Sequence, residues 1–181
     1  RQEVKDLLAY ARLAVNPKDD MAALRVLNTP PRGIGATSVE RIRASAAQFN
    51  ESVFQVLRRD DVRQGLRGPS KKGTLAFLSV MAKVTEDLSS AEGVLRRTID
   101  RVGYRRFAES LSSTEDVDRG ENIDELLAFA QEYDAREDGG LRGFLEEISL
   151  LTDVDRWEEG AERISLMTVH AAKGLEFDKV A

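Results

Sequence analysis

Apolar residues recur along most of this chain at the three-and-four spacing of helices. Val4, Leu7, Leu8, Ala11 and Val15 share one face, so the spacing predicts an amphipathic helix over 2–15. Asn16-Pro17 ends it, because proline disfavours helix at the residue before it. Asp19 or Asp20 is placed to cap a second helix running through Leu27. Thr29-Pro30-Pro31-Arg32-Gly33-Ile34-Gly35 reads as a rigid turn, after which Thr37 or Ser38 opens a third helix with Val39, Ile42 and Ala46 inward. A short helix over 51–58 and a basic loop over 59–68 follow. Ser70 then opens a helix carrying Leu75, Leu78, Val80, Met81 and Val84, and Ser90 opens another with Val94, Leu95, Ile99 and Val102 inward. Residues 103–111 read as a short helical piece.

Residues 112–121 are polar and turn-rich, and a mobile loop is expected there. Asn122 is placed to cap a helix with Ile123, Leu126, Leu127, Phe129 and Ala130 inward; Gly139-Gly140 breaks it, and 141–151 forms the last helix. An acidic linker around Trp157 covers 152–162. The period then changes. Ile164 to Val169 reads as one buried strand, running into a polar loop that holds His170, Lys173, Gly174 and Glu176. Open α/β sheets place ligand-contacting groups at such strand ends. The expected fold is mainly α: an irregular helical body over 1–161, then a strand and loop over 162–181 belonging to an α/β unit. Both ends read as cut. The chain enters a helical pattern at Arg1 with no start signal and stops as a second apolar strand begins, so a piece of a longer protein is expected.

Charge sharpens this picture. The net charge is −5, but residues 1–108 carry 20 Lys+Arg against 12 Asp+Glu, and residues 109–181 carry 7 against 20. A basic half is thus hidden by an acidic one, and the basic half is a candidate phosphate-binding surface. The absence of cysteine excludes a disulfide framework and a thiolate zinc site. No apolar run reaches the ~20 residues of a membrane span. No signal peptide is present, and a cytoplasmic location is expected.

Gly33-Ile34-Gly35 is the second candidate site. A glycine–apolar–glycine hairpin between helices exposes successive backbone N–H groups, and the next helix adds its positive end. Glycine lets a phosphate approach where a Cβ would block it. The segment has the form of a helix-hairpin-helix, which grips duplex backbones without reading bases. Arg32, Arg41 and Arg43 lie close in sequence and are expected to add charge. The residues alone equally allow an ordinary tight turn. Likewise His170 could satisfy a local backbone group, Lys173 could be a solvated lysine and Glu176 a surface charge. The acidic run over 115–118 makes no convincing metal site, and Trp157 reads as a packing anchor.

Two blocks carry a family resemblance. Arg1-Gln2-Glu3-Val4-Lys5-Asp6 through Asn28-Thr29-Pro30 and Arg32-Gly33-Ile34-Gly35 is one. Thr168-Val169-His170-Ala171-Ala172-Lys173-Gly174-Leu175-Glu176-Phe177 is the other, and closely resembles motif V of the UvrD/PcrA/Rep group of superfamily 1 DNA helicases. Weaker matches at Asn122-Ile123-Asp124-Glu125-Leu126 and Phe144-Leu145 fall between them in order. The resemblance implies two RecA-like motor domains, 1A and 2A, with 1B and 2B inserted. This chain would then be the helical 2B subdomain, with a short lead-in from 2A and the return into 2A through motif V.

The resemblance also implies roles. Subdomain 2B contacts duplex DNA ahead of the fork and rotates to regulate unwinding, which assigns Gly33, Ile34, Gly35 and Ser38, and with them Lys5, to the duplex. Thr168 and His170 fall where the family contacts single-stranded DNA, and Lys173 and Glu176 where it holds the nucleotide. ATP and Mg2+ are expected in the intact 3′–5′ helicase, not on this chain. No G-x-x-x-x-G-K-[ST] loop, no D-E-x-Q-type segment and no motif VI arginine is present, so the chain alone is expected to hydrolyse no ATP. Expected partners are DNA, other subdomains of the same helicase, and repair partners or a second copy, without a membrane; the setting is the bacterial cytoplasm and nucleoid. The alternative is a protein-interaction or autoinhibitory module with little DNA contact, which the acidic half would suit.

Overall fold

Leu7, Tyr10, Ala11, Leu13 and Ala14 are buried, and so are the polar Glu3 and Asp6 on the same helix. That helix, α1 (Gln2–Val15), is therefore covered on nearly every side, as befits a core element rather than a surface one. The computed structural model describes residues 1–111, 119–136 and 139–155. The described residues are helical and carry no strand: after α1 come α2 (Asp20–Val26), α3 (Ala36–Phe49), α4 (Val53–Leu57), α5 (Asp60–Gly65), α6 (Gly68–Val84), α7 (Ala91–Val102), α8 (Tyr104–Ser110), α9 (Arg119–Arg136) and α10 (Gly140–Asp155). The mainly-α expectation is met. The 164–169 strand and the boundary at 161 and 162 lie outside the described residues. No helix among the described residues is long and apolar enough to cross a membrane.

The packing follows from the helix ends. Helix α1 packs against α2, α6, α7, α9 and α10. Asp19 accepts the Ala22 N–H at 2.9 Å and starts α2. Ser52 and Gln55 form a reciprocal capping box on α4, satisfying two donors at once. Asp20 accepts the Val53 N–H at 2.7 Å, and Ser52 donates to the Pro17 carbonyl at 2.8 Å, so the start of α4 is tied to the α1–α2 corner. Ser90 caps α7, and Asp134 of α9 accepts from Ala91 N, Glu92 N and the Ser90 hydroxyl at 2.8–3.0 Å. Gly103, with φ 66, closes α7 in the left-handed region.

Five expectations need correction. The linker over 152–162 does not begin at 152, because α10 continues through Asp155. The basic stretch over 59–68 contains α5, begun by Asp60 and Asp61 in its first turn, where acids suit the helix dipole. The third helix starts at Ala36, with Gly35 as its N-cap. Asn122 does not start its helix: α9 begins at Arg119, and Asn122 is 3 % exposed inside it, donating to Glu3 and accepting from Arg1. Leu75 is 49 % exposed, and the core position of α6 is Phe77, edge-on to Phe54 at 6.0 Å between ring centres.

Candidate nucleic-acid interface

The turn between α2 and α3 is built by one side chain. Asn28 Oδ1 accepts the Arg32 N–H at 2.7 Å and the Ile34 N–H at 3.1 Å, folding the backbone around a single oxygen. The Thr29-Pro30 bond in this turn is cis. Ile34 is buried at its centre and anchors the hairpin in the core. Its side chain is thus unavailable to a ligand, and its N–H is already bonded. Gly33 and Gly35 are exposed on either side.

Arg32 does not add to the outer charge as expected. Its guanidinium donates to the carbonyls of Val26, Leu27 and Pro30 at 3.0–3.3 Å and to the Tyr10 hydroxyl. It lies between the rings of Tyr10 and Phe77, at 5.9 and 5.6 Å from their centres. Tyr10 in turn donates to the Thr29 carbonyl at 2.6 Å. Burial pushes the Tyr10 phenol up to about 12, with the nearby Arg32 charge opposing. The Arg32 charge therefore locks the hairpin to α1, and Arg41 and Arg43, both exposed, are the outward charges on α3.

The two glycines have different reasons. Gly33 has φ +75, and a Cβ there would stand 2.8 Å from Pro69 Cβ, so the fold itself requires glycine. Gly35 has an ordinary φ of −78, and a Cβ there would meet nothing within 4 Å. Around it, the N–H groups of Gly33, Gly35, Ala36 and Thr37 have no acceptor among the described residues. The hairpin therefore offers backbone donors at Gly35 and the first turn of α3, facing open space.

Ser38 is half-buried, and its hydroxyl donates to Ser70 of α6 at 2.8 Å; Ser70 donates to the Gly33 carbonyl at 3.0 Å. A phosphate contact from Ser38 would need that proton to turn outward. Lys5 is exposed on α1, and no contact joins it to the turn among the described residues. It stands five residues before Tyr10, or ~7.5 Å along the helix axis. Thr168, His170, Lys173 and Glu176 lie outside the described residues. Among the described residues, no group of three or more His, Cys, Asp or Glu could hold a metal ion.

The sequence reading missed Asn28, Tyr10 and Ser70, which shape the hairpin. For Asn28 a signal existed: an asparagine just ahead of a Pro-Pro-x-Gly stretch is placed to fold a turn around its own side chain. Tyr10 and Ser70 gave none, being 22 positions before Arg32 and 37 after Gly33.

The described residues thus form a helical body in which α3 starts, without a side-chain cap, behind a glycine hairpin. The chain belongs to the UvrD-like helicase C-terminal domain family, whose model matches residues 1–181. Among its relatives, the ATP-dependent DNA helicase PcrA of Bacillus subtilis (strain 168) is 36 % identical over 189 residues, covering 99 % of this chain and 25 % of that protein. The PcrA helicase of Staphylococcus epidermidis (strain ATCC 12228 / FDA PCI 1200) is 37 % identical over 186 residues, and that of Staphylococcus aureus (strain COL) 35 % over 185; each match covers 98 % of this chain and 25 % of the relative. The chain thus spans about a quarter of the length of these relatives.

Proposed function

We propose that residues 1–161 are the duplex-binding, regulatory 2B subdomain of an ATP-dependent 3′–5′ DNA helicase working on the bacterial nucleoid. Residues 162–181 then carry motif V of the returning motor domain. The observation that carries this is Gly35. The fold leaves open the space a Cβ would fill there, and the N–H groups beside it are unmet, as a duplex phosphate would require. Gly33, Ile34 and Ser38 act as the frame: Ile34 anchors, while Gly33 and Ser38 seat the turn on α6. Lys5 adds charge from α1. In the intact helicase ATP hydrolysis would supply the free energy, and Mg2+ would neutralise the charge on its phosphates. Thr168 and His170 would hold the single strand, and Lys173 and Glu176 the nucleotide.

The test is duplex binding by this chain over a salt series, beside Gly35→Asp. Aspartate is a strong N-cap, so α3 is retained while its first-turn donors are taken and a negative charge is added. Wild-type log affinity should fall linearly with log salt. Gly35→Asp should bind at least about tenfold more weakly, a loss of about 1.4 kcal/mol, at an unchanged or higher melting temperature. Equal binding by Gly35→Asp, or a salt-independent wild type, would reject the reading. The protein-interaction alternative has one observation in its favour: α9 presents exposed Asp124 and Glu125, though both already pair with Arg105 and Arg1.

A further inference from the structure

The hairpin does not stand alone; the beginning of α6 is seated on it. Pro69 Cβ packs where Gly33 lacks a side chain, Ser70 holds both the Gly33 carbonyl and Ser38, and a Cβ on Gly73 would collide with the Arg32 carbonyl. Three positions on one side of α6, Pro69, Ser70 and Gly73, therefore touch the turn. The charge pattern of this region is one-sided. Residues 62–85 hold five Lys+Arg and no Asp or Glu, and residues 33–50 hold exposed Arg41 and Arg43 against Glu40 alone, in a chain of net charge −5. Arg67, Lys71 and Lys72 are exposed and make no ion pair among the described residues, whereas Lys83, at the far end of the same helix, pairs with Glu86 at 2.7 Å.

Helix geometry separates the three. Lys72 is one turn on from Pro69, so it lies toward the side of α6 that meets Gly33, and Arg67 immediately precedes the helix. Lys71 is turned about 100° further round, away from the hairpin. We propose that Arg67 and Lys72 form a second arm of the duplex site, contacting backbone phosphates beside the one held at Gly35, with Ser70 as the positioning residue that fixes α6 to the turn. This rests on the hairpin reading. The partner is duplex DNA recognised through its phosphates, because positive side chains next to exposed backbone donors match a line of phosphates and carry no means of reading bases.

The experiment compares Arg67→Gln/Lys72→Gln with Lys71→Gln/Lys83→Gln, which removes the same charge from the same helix, using the full chain, a blunt duplex oligonucleotide and a salt series. Each lost phosphate contact reduces the slope of log affinity against log salt by about 0.9. The first pair should lower the slope by about two and weaken binding equally on unrelated sequences, while the second leaves it near wild type. Lys72→Arg with Arg67→Lys should restore it. If Gly35→Asp weakens binding but the Arg67/Lys72 pair keeps the wild-type slope, the second arm is rejected and the hairpin stands. If both pairs lower the slope alike, the effect is net charge and the assignment fails. If the Arg67/Lys72 pair matters and Gly35→Asp does not, the two do not share a site and the assignment fails again. Tighter retention of an acidic protein or of RNA than of the duplex would also overturn it.

Discussion

The Tyr104 hydroxyl donates to Asp6 Oδ2 over 2.6 Å inside the core, joining α8 to α1 across 98 positions of sequence. Asp6 also receives Arg25 at 2.7 Å, so one buried carboxylate ties α1, α2 and α8 together. A hydrogen bond to a charged group contributes about 1.5–3 kcal/mol, so Tyr104→Phe should lower unfolding free energy by about that much. Asp6→Ala should cost more, because it leaves a buried hydroxyl and a cation without their acceptor. Urea titration followed by circular dichroism measures both, and a Tyr104→Phe protein as stable as wild type would remove this tie from the list of core interactions.

Two buried phenols give the fold an alkaline limit. Burial raises Tyr10 to about 12, and burial together with the Asp6 hydrogen bond raises Tyr104 further above its ordinary value. Between the unfolded value near 10 and the folded value, the native state holds protons that the unfolded chain has released. Stability is then whole below about pH 10 and falls as pH rises toward 12. The urea midpoint should be flat from pH 8 to 9.5 and decline above about 10. Tyr10→Phe and Tyr104→Phe should each make that decline shallower.

The two exposed glycines of the hairpin should separate stability from binding. Gly33→Ala puts a side chain in the left-handed region and against Pro69, and should cost about 1–3 kcal/mol. Gly35→Asp should leave the melting temperature unchanged or higher. Thermal melts of the two variants side by side decide it. Equal destabilisation would mean that Gly35 is also a requirement of the fold.

Helix α6 offers a check on its orientation. Phe77 lies fully buried between Phe54 and the Arg32 guanidinium, so Phe77→Ala should cost about 3–5 kcal/mol. Leu75 is half exposed, so Leu75→Lys should change stability by no more than about 0.5 kcal/mol. A large loss for Leu75→Lys would mean that its exposed face is covered.

Most helices were legible because their signals are local. Caps at Asp19 and Ser90, the stop at Asn16-Pro17 and the break at Gly139-Gly140 act within a turn of where they stand in sequence. What escaped depends on distant partners. Asn122 is a residue type suited to an N-cap, yet it is drawn into the first turn of α9, where Arg119 lies 3.6 Å from Glu3 and Asn122 itself meets Glu3. On α6, Leu75 and Phe77 are both apolar and lie on nearly opposite sides, and only the rings and cation on neighbouring elements decide which is inside. The Gly33-Ile34-Gly35 turn was visible as a motif, but its division of labour was not. That division depends on Pro69 and Ser70, more than thirty positions away.

The burial of α1 also has a consequence for how the chain comes off the ribosome. Within the helical body Gln2–Val15 is made before the helices that cover it, and Glu3 and Asp6 wait for Arg119, Asn122 and Tyr104. At about 5–20 residues per second, that interval is several seconds or more, during which two acids and a row of leucines have no surroundings. Of the ten described helices of this body, the one made earliest is thus completed only when α9 arrives. A nascent chain stopped before α9 therefore has a helix without a home, and the body is expected to assemble in one step once its C-terminal helices arrive.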